Sequence, residues 1–315
     1  GVTIANIDSG IFPFHPSFFR ADGGVYEWVD VNGDGLLTLG SDGVDLNGDD
    51  QISPDEVLML LESRQTSTFD PTLRDLNSTD GYQPSVDWLS LDTNGNGRRD
   101  YGGQGGFATT DPAWGEPLFM LDDVDRDEVA RPAERLLRLS SSKIRYVDAG
   151  RVYWRDPIAG ARALVDFNFG TIERYAEQSH GTLPAGVLIA GVPNRSRALG
   201  LASGAELIGI SSTNEGLDAY ETAVEEGADV FLTEFAPYVF VTLDGTSELD
   251  RYFDAALEDG IVTVSPAGNL ATSAKHRSIN LHQGNNTFDV MTDEYFAGSQ
   301  ALYLSVHIPV SDVVP

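Results

Sequence analysis

Three short stretches of this chain set a proton-handling or hydrogen-bonding side chain where an apolar run meets a turn or a helix. Asp8 closes IANIDSG, His180 opens HGTLPAGVLIAG, and Asn269 closes IVTVSPAGN. The chain has only five histidines, so one placed beside a Gly-Thr pair ahead of small apolar residues calls for a reason. Taken singly, each residue has a plain structural role, because Asp and Asn form turns and caps and a His at a helix start caps or packs. Their common setting at element ends raises the question of chemistry.

A second chemistry is written between Asp8 and His180. The stretches DVNGDGLLTLGSD, DLNGDDQISPDE and DTNGNGRRDYGG alternate Asp and Asn around a glycine turn. Such a pattern suits an oxygen-ligated Ca²⁺ loop, because side chains one, three and five converge on one ion. Asp45, Asn47, Asp49 and Glu56 fill positions one, three, five and twelve, with Asp50 where Gly is preferred. Asp30, Asn32 and Asp34 begin a loop with Gly35 at its turn and Ser41, not Glu, at position twelve. Asp92, Asn94 and Asn96 begin a third, with Gly97 at the turn and Asp100 at position nine. Asp123, Asp125 and Asp127 make a fainter match that lacks the Gly. The first two loops leave no room for a helix pair between them, so compact loops are expected. They resemble EF-hand-type calcium motifs, as in dockerin-like and thrombospondin-type repeats; the alternative is solvated Asx turns that bind nothing.

The bulk composition narrows the classes. With 315 residues, 41% hydrophobic and 10% aromatic, the chain can bury one large core or two modest ones. A net charge of -29 argues against a nucleic-acid partner, whose binding depends on Lys and Arg displacing counterions. It suits a surface that collects cations. The absence of cysteine excludes disulfides, thiolate metal sites and a Cys nucleophile. No apolar run approaches the length of a membrane span, and no signal peptide is visible. The opening without Met and the strand-like ending HIPVSDVVP read as a segment of a longer polypeptide.

The elements that must position these groups follow from the rhythm of the chain. Val2 to Ile7 reads as a buried strand ending in a polar turn. From about Asp22 to Gly150 the texture turns to Asp, Asn and Gly clusters, which reads as an inserted module. Past Arg151 the α/β rhythm resumes: ARALVDFNF, AELIGISS, VFLTEF and IVTVSPAGN are strand-like. His180 to Ala190, GLDAYETAVEEGAD and TSELDRYFDAALEDG are helix-like, the last with a capping Thr or Ser and a closing Gly260. Strands alternating with helices predict an α/β fold, a parallel sheet with helices on both faces and its ligand site at the strands' carboxyl ends. The expected divisions are 1–21 and 151–269 for the sheet domain, 22–150 for the acidic loop-rich insertion and 270–315 for the start of a β-rich segment.

At this point the chain resembles the subtilisin-like serine proteases. Asp8-Ser9-Gly10 with His15-Pro16, His180-Gly181-Thr182 with Ala185-Gly186, and Ala267-Gly268-Asn269 stand in the family's order, and GLASGAELIGI is similar to a further family segment. The resemblance implies acyl transfer on a protein or peptide substrate. His180 would be the general base, Asp8 its orienting carboxylate and Asn269 a donor to the oxyanion. His15 would be structural, packing under the Asp8 turn.

The departures from the family bear on function. Where the family has Ser-Leu-Gly-Gly lining the S1 pocket, this chain has Glu234-Phe235-Ala236-Pro237, which implies a narrower pocket and a Glu234 that favours a basic P1 side chain. Leu183 and Pro184 replace the family's His-Val, and Pro is tolerated in a first helical turn. The one Gly-Thr-Ser, ending at Ser247, precedes Asn269 and fits a helix cap. The nucleophile is therefore expected beyond Pro315, the segment alone is expected to be inactive, and a prodomain is allowed for ahead of Gly1. The reading is a secreted or extracellular endopeptidase, periplasm and cell surface included, with Ca²⁺ bound by its insertion. The competing reading is a non-catalytic, calcium-dependent binding or adhesion protein on the same scaffold.

Overall fold

A computed structural model describes residues 1–61, 82–103, 105–108, 110–148, 152–154, 180–211, 217–235, 245–267 and 282–287. Its strands, in chain order, are β1 (Thr3–Asp8), β2 (Val25–Tyr26), β3 (Leu58–Leu61), β4 (Trp88–Leu91), β5 (Leu118–Leu121) and β6 (Leu136–Leu139). They continue with β7 (Ile144–Asp148), β8 (Val152–Trp154), β9 (Glu206–Ser211), β10 (Val230–Thr233) and β11 (Val262–Val264). Three α-helices are described: α1 (Thr182–Ile189), α2 (Leu217–Glu225) and α3 (Glu248–Glu258).

The main sheet has the order β11-β10-β1-β9-β7-β8. Five strands run parallel, and β8 pairs antiparallel with β7. Every residue of the central strand β1 is buried, as a parallel strand covered on both faces requires. Its residues alternate between two cores. Ile4 packs with Ala185 and Ile189 of α1, while Ala5 and Ile7 pack with Ala219 and Ala223 of α2 and Ala256 of α3. Helices thus cover both faces, and the α/β fold inferred from the strand-helix rhythm is the one observed.

Local sequence explains the helix ends. Ser247 is the N-cap of α3: its hydroxyl accepts from Asp250 N, and the Asp250 carboxylate accepts in return from Ser247 N and Oγ. Two backbone donors of the helix end, Asp250 N and Ser247 N, are satisfied in this way. Gly260 follows at φ +81°, the left-handed backbone that lets a chain leave a helix.

Between Asp8 and His180 stands a second sheet, antiparallel, in the order β2-β6-β5-β4-β3. One face forms a core of Trp28, Leu58, Leu89, Leu91, Phe119 and Leu136. The other face, with Leu61, Trp88, Leu118 and Met120, joins Phe12, Phe14, Phe18 and Phe19 in the core beneath α1. The loop-rich reading of this region did not include a sheet. Its strands read LMLL, WLSL, LFML and LLRL; WLSL and LFML are buried throughout, and none of the four carries a period-two signal. The chain rejoins the main sheet at Ile144, where β7 pairs with β9, ahead of Arg151, where the rhythm of the sequence resumes. The run ARALVDFNF and the segment after Leu270, apart from 282–287, lie outside the described residues. Among the described residues no helix is long and apolar enough to cross a membrane.

Candidate active site

Asp8 ends β1 at the carboxyl edge of the main sheet, and His180 lies just ahead of Gly181, the N-cap of α1. The fold brings them together. His180 Nδ1 lies 2.8 Å from Asp8 Oδ2 and 3.1 Å from Oδ1. The Asp8 side chain is 3% exposed and that of His180 is 68% exposed, so a buried carboxylate holds one edge of a ring whose other edge faces outward. A second donor, Ser9 N, reaches Asp8 Oδ1 at 2.5 Å. With Nδ1 engaged, Nε2 is the atom left to exchange a proton.

The first turn of α1 is stitched onto the Asp8 loop. Gly181 N donates to Ser9 Oγ at 3.2 Å, and Phe12 N donates to Thr182 Oγ1 at 3.0 Å. Gly181 is required by space: a Cβ there would stand 2.3 Å from Gly10 O and 2.9 Å from Asp8 Cβ, closer than such atoms can approach. At the far end of α1, Lys143 Nζ donates to Ile189 O and Gly191 O at 2.7 and 2.5 Å. His15 is the N-cap of a short 3₁₀ turn, Pro16–Phe18, with Nδ1 2.7 Å from Ser17 Oγ and its ring edge-on to Trp88. Burial lowers its pKa to about 4, so it is a neutral packing residue at ordinary pH.

Glu234 stands just past β10. The pairing of Ile7 with Thr233 and a 3.1 Å bond from Glu234 N to Ile7 O set it beside Asp8. Burial raises its pKa, the Asp8 charge adds to the rise, and His180 acts in the opposite sense. Phe235 packs against the core of Ala5, Ile7 and Phe231. Ala236 and Asn269 lie outside the described residues. Ser247 is occupied as the cap of α3.

The acidic loops share one construction. Their sixth residues are left-handed: Gly35 at φ +77°, Asp50 at +62°, Gly97 at +81° and Glu128 at +59°. A carboxylate closes each by accepting from the N–H of the second and ninth residues. Asp42 takes Val31 and Thr38, at 2.9 and 2.6 Å; Glu56 takes Leu46 and Ser53, at 2.9 and 3.2 Å. Glu116 takes Thr93 and Asp100, at 2.6 and 2.7 Å; Glu134 takes Val124 and Arg131, both at 3.2 Å. All four carboxylates are buried.

At the loop turns, Asp30 accepts from Gly33 and Gly35, Asp45 from Gly48 and Asp50, and Asp92 from Asn96 and Gly97. Asn32 donates to Asp34, Asn47 accepts from Asp49 N, and Asn94 and Asn96 both donate to Asp100. Asp42, Glu116 and Glu134 were not singled out from the sequence. Glu134 stands at position twelve counted from Asp123 and was legible; Asp42 and Glu116 fall outside a twelve-residue frame and could be found only in three dimensions.

Among the described residues, the carboxylates of Asp123, Asp125 and Glu134 bring ligand atoms within 4.8 Å of one another. Asp123 Oδ1 is buried with no hydrogen-bond partner. The pKa of Glu134 is raised, first by burial and also by Asp123 and Asp125. An orphaned carboxylate oxygen and mutual repulsion are what a cation would relieve.

The family model described as "Subtilase family" (Peptidase_S8) matches residues 1–292, and the chain belongs to that family of serine peptidases. No curated protein and no solved structure gives a significant match.

Proposed function

We propose that this protein is a serine endopeptidase in which Asp8 and His180 are two members of the catalytic triad. The observation that carries the reading is the 2.8 Å contact between His180 Nδ1 and Asp8 Oδ2. His180 Nε2 takes the proton of a serine hydroxyl as its oxygen bonds to the peptide carbonyl carbon. His180 then returns that proton to the leaving amine as the C–N bond breaks, and water repeats the sequence on the acyl-enzyme. Asp8 fixes the tautomer and stabilises the imidazolium. Asn269 donates to the oxyanion.

The attacking serine is distinct from Ser247, which caps α3. Glu234, Phe235 and Ala236 border the substrate, and the Glu234 carboxylate selects a basic P1 side chain.

The same proposal gives the acidic insertion a Ca²⁺ role in a secreted protein. Asp30, Asn32 and Asp34; Asp45, Asn47, Asp49 and Glu56; and Asp92, Asn94, Asn96 and Asp100 would hold ions in three loops. Asp123, Asp125 and Glu134 would hold a fourth, supported by the orphaned Asp123 oxygen. Bound Ca²⁺ supplies charge compensation and cross-links each loop.

One observation favours the non-catalytic, calcium-dependent binding reading: the serine of the one Gly-Thr-Ser is a helix cap. A serine-directed fluorophosphonate decides between the two. The full-length protein is expected to be labelled and His180→Ala to abolish the labelling; an unlabelled wild type leaves the binding reading.

A further inference from the structure

One buried cation takes no part in the chemistry above. Lys143, just ahead of β7, is 2% exposed, and its ammonium donates to Ile189 O and Gly191 O at the end of α1. Among the described residues no carboxylate pairs with it. Burial, helped by the charge of Arg20, lowers its pKa to about 8. An unpaired ammonium is costly inside a core, but a helix end offers unsatisfied carbonyls and the negative pole of the macrodipole. Lys143 is thus a C-terminal cap reached from another element.

The carbonyls at the end of that helix are shared out: Val187 O, Leu188 O and Ala190 O accept from Leu201 N, Ala202 N and Gly200 N, while Ile189 O accepts from Lys143. α1 has eight residues, about 12 Å at 1.5 Å per residue, so a displacement at one end appears at the other. Its N-cap Gly181 makes no side-chain cap bond. Leu183 and Val187 are exposed, and Ala185 and Ile189 form its buried face. At the N-terminus Gly181 lies so close to the Asp8 loop that a Cβ there would meet Gly10 O and Asp8 Cβ.

The contacts close into a ring. Lys143 N donates to Phe18 O at 2.7 Å, and Gly191 N donates to Ser17 O at 2.9 Å. The end of α1 is therefore fixed to the turn that follows the Asp8 loop. We infer that Lys143 is a positioning residue for His180: its ammonium seats the far end of α1 and so sets where the imidazole meets Asp8. Lys143 touches neither residue of the pair. The inference rests on the reading of Asp8 and His180 as a catalytic pair.

The test uses the full chain labelled with ¹⁵N in its imidazoles. The Asp8-bound Nδ1 proton of His180 is followed as a downfield NMR resonance, assigned by its loss in His180→Ala. These 315 residues include no cysteine, so Lys143→Cys in this segment can be alkylated in denaturant with bromoethylamine, which restores an ammonium, or with iodoacetamide, which does not. Each adduct is then refolded. The bromoethylamine adduct is expected to keep the resonance, while the iodoacetamide adduct loses it.

Leu89→Ala, in the second-sheet core, is the control for general destabilisation and is expected to lose melting temperature but keep the resonance. Adducts that behave alike, or a Leu89→Ala chain that also loses the resonance, would overturn the role of Lys143 alone. A wild type without the resonance would overturn the Asp8–His180 reading and this inference with it.

Discussion

Asp8 and His180 are 172 positions apart in the chain and 2.8 Å apart in space, joined from Oδ2 to Nδ1. Contact requires β1 to end where α1 begins and requires Gly181 to have no side chain. Asp8→Asn keeps the shape of the pair but lets the amide hold the wrong tautomer of the ring. The expected loss in the rate of peptide hydrolysis by the full-length protein is about 10⁴-fold, with little change in melting temperature. A variant of wild-type rate would remove Asp8 from the mechanism.

Ser247 separates the roles of cap and nucleophile. Ser247→Ala removes a capping box from α3 and should cost about 1 kcal/mol in denaturant unfolding. Fluorophosphonate labelling of the full-length protein should be unchanged. Loss of labelling in a folded Ser247→Ala chain would contradict the assignment.

Calcium is tested by heat. A ligand that binds only the folded state stabilises it by mass action, about 2.7 kcal/mol at a free concentration 100 times its Kd. Added Ca²⁺ should raise the melting temperature and a chelator should lower it. Asp123→Asn should lose part of that rise. If melting does not respond to either reagent, the loops are solvated turns.

Glu234 has a pH signature. Its folded pKa is raised by burial, by Asp8 next, with His180 opposing, so the folded state binds its proton more tightly than the unfolded state. Stability from this group is fully present below the ordinary Glu value and declines as pH rises through the raised one. Glu234→Gln does not titrate, so it should gain stability relative to wild type above that window and not below it. Its preference for cleavage after Arg over Leu should fall. Equal stability differences at acid and neutral pH would contradict the first expectation, and an unchanged preference the second.

What was legible in the chain was local. VTIANI and AELIGI show as strands, SELDRYF as a capped helix start, and D-x-N-x-D as a turn, because each signal is complete within one or two turns of backbone. The second sheet was not legible, because LMLL and LFML lie between two cores and look the same from either side. Lys143 gave no sign either: nothing next to it names Ile189 or Gly191 as its acceptors.

The order of residues alone determined which groups were present and how each loop would turn: an Asp after a strand, a His before a helix, and carboxylates alternating around left-handed residues. Tertiary structure decided which of them meet. Asp8 faces His180, Glu234 stands beside Asp8, Glu116 closes a loop that begins at Asp92, and Lys143 caps α1. Sheet register and helix docking fix those partners, and both arise from burial summed over many residues, which no short stretch of sequence carries.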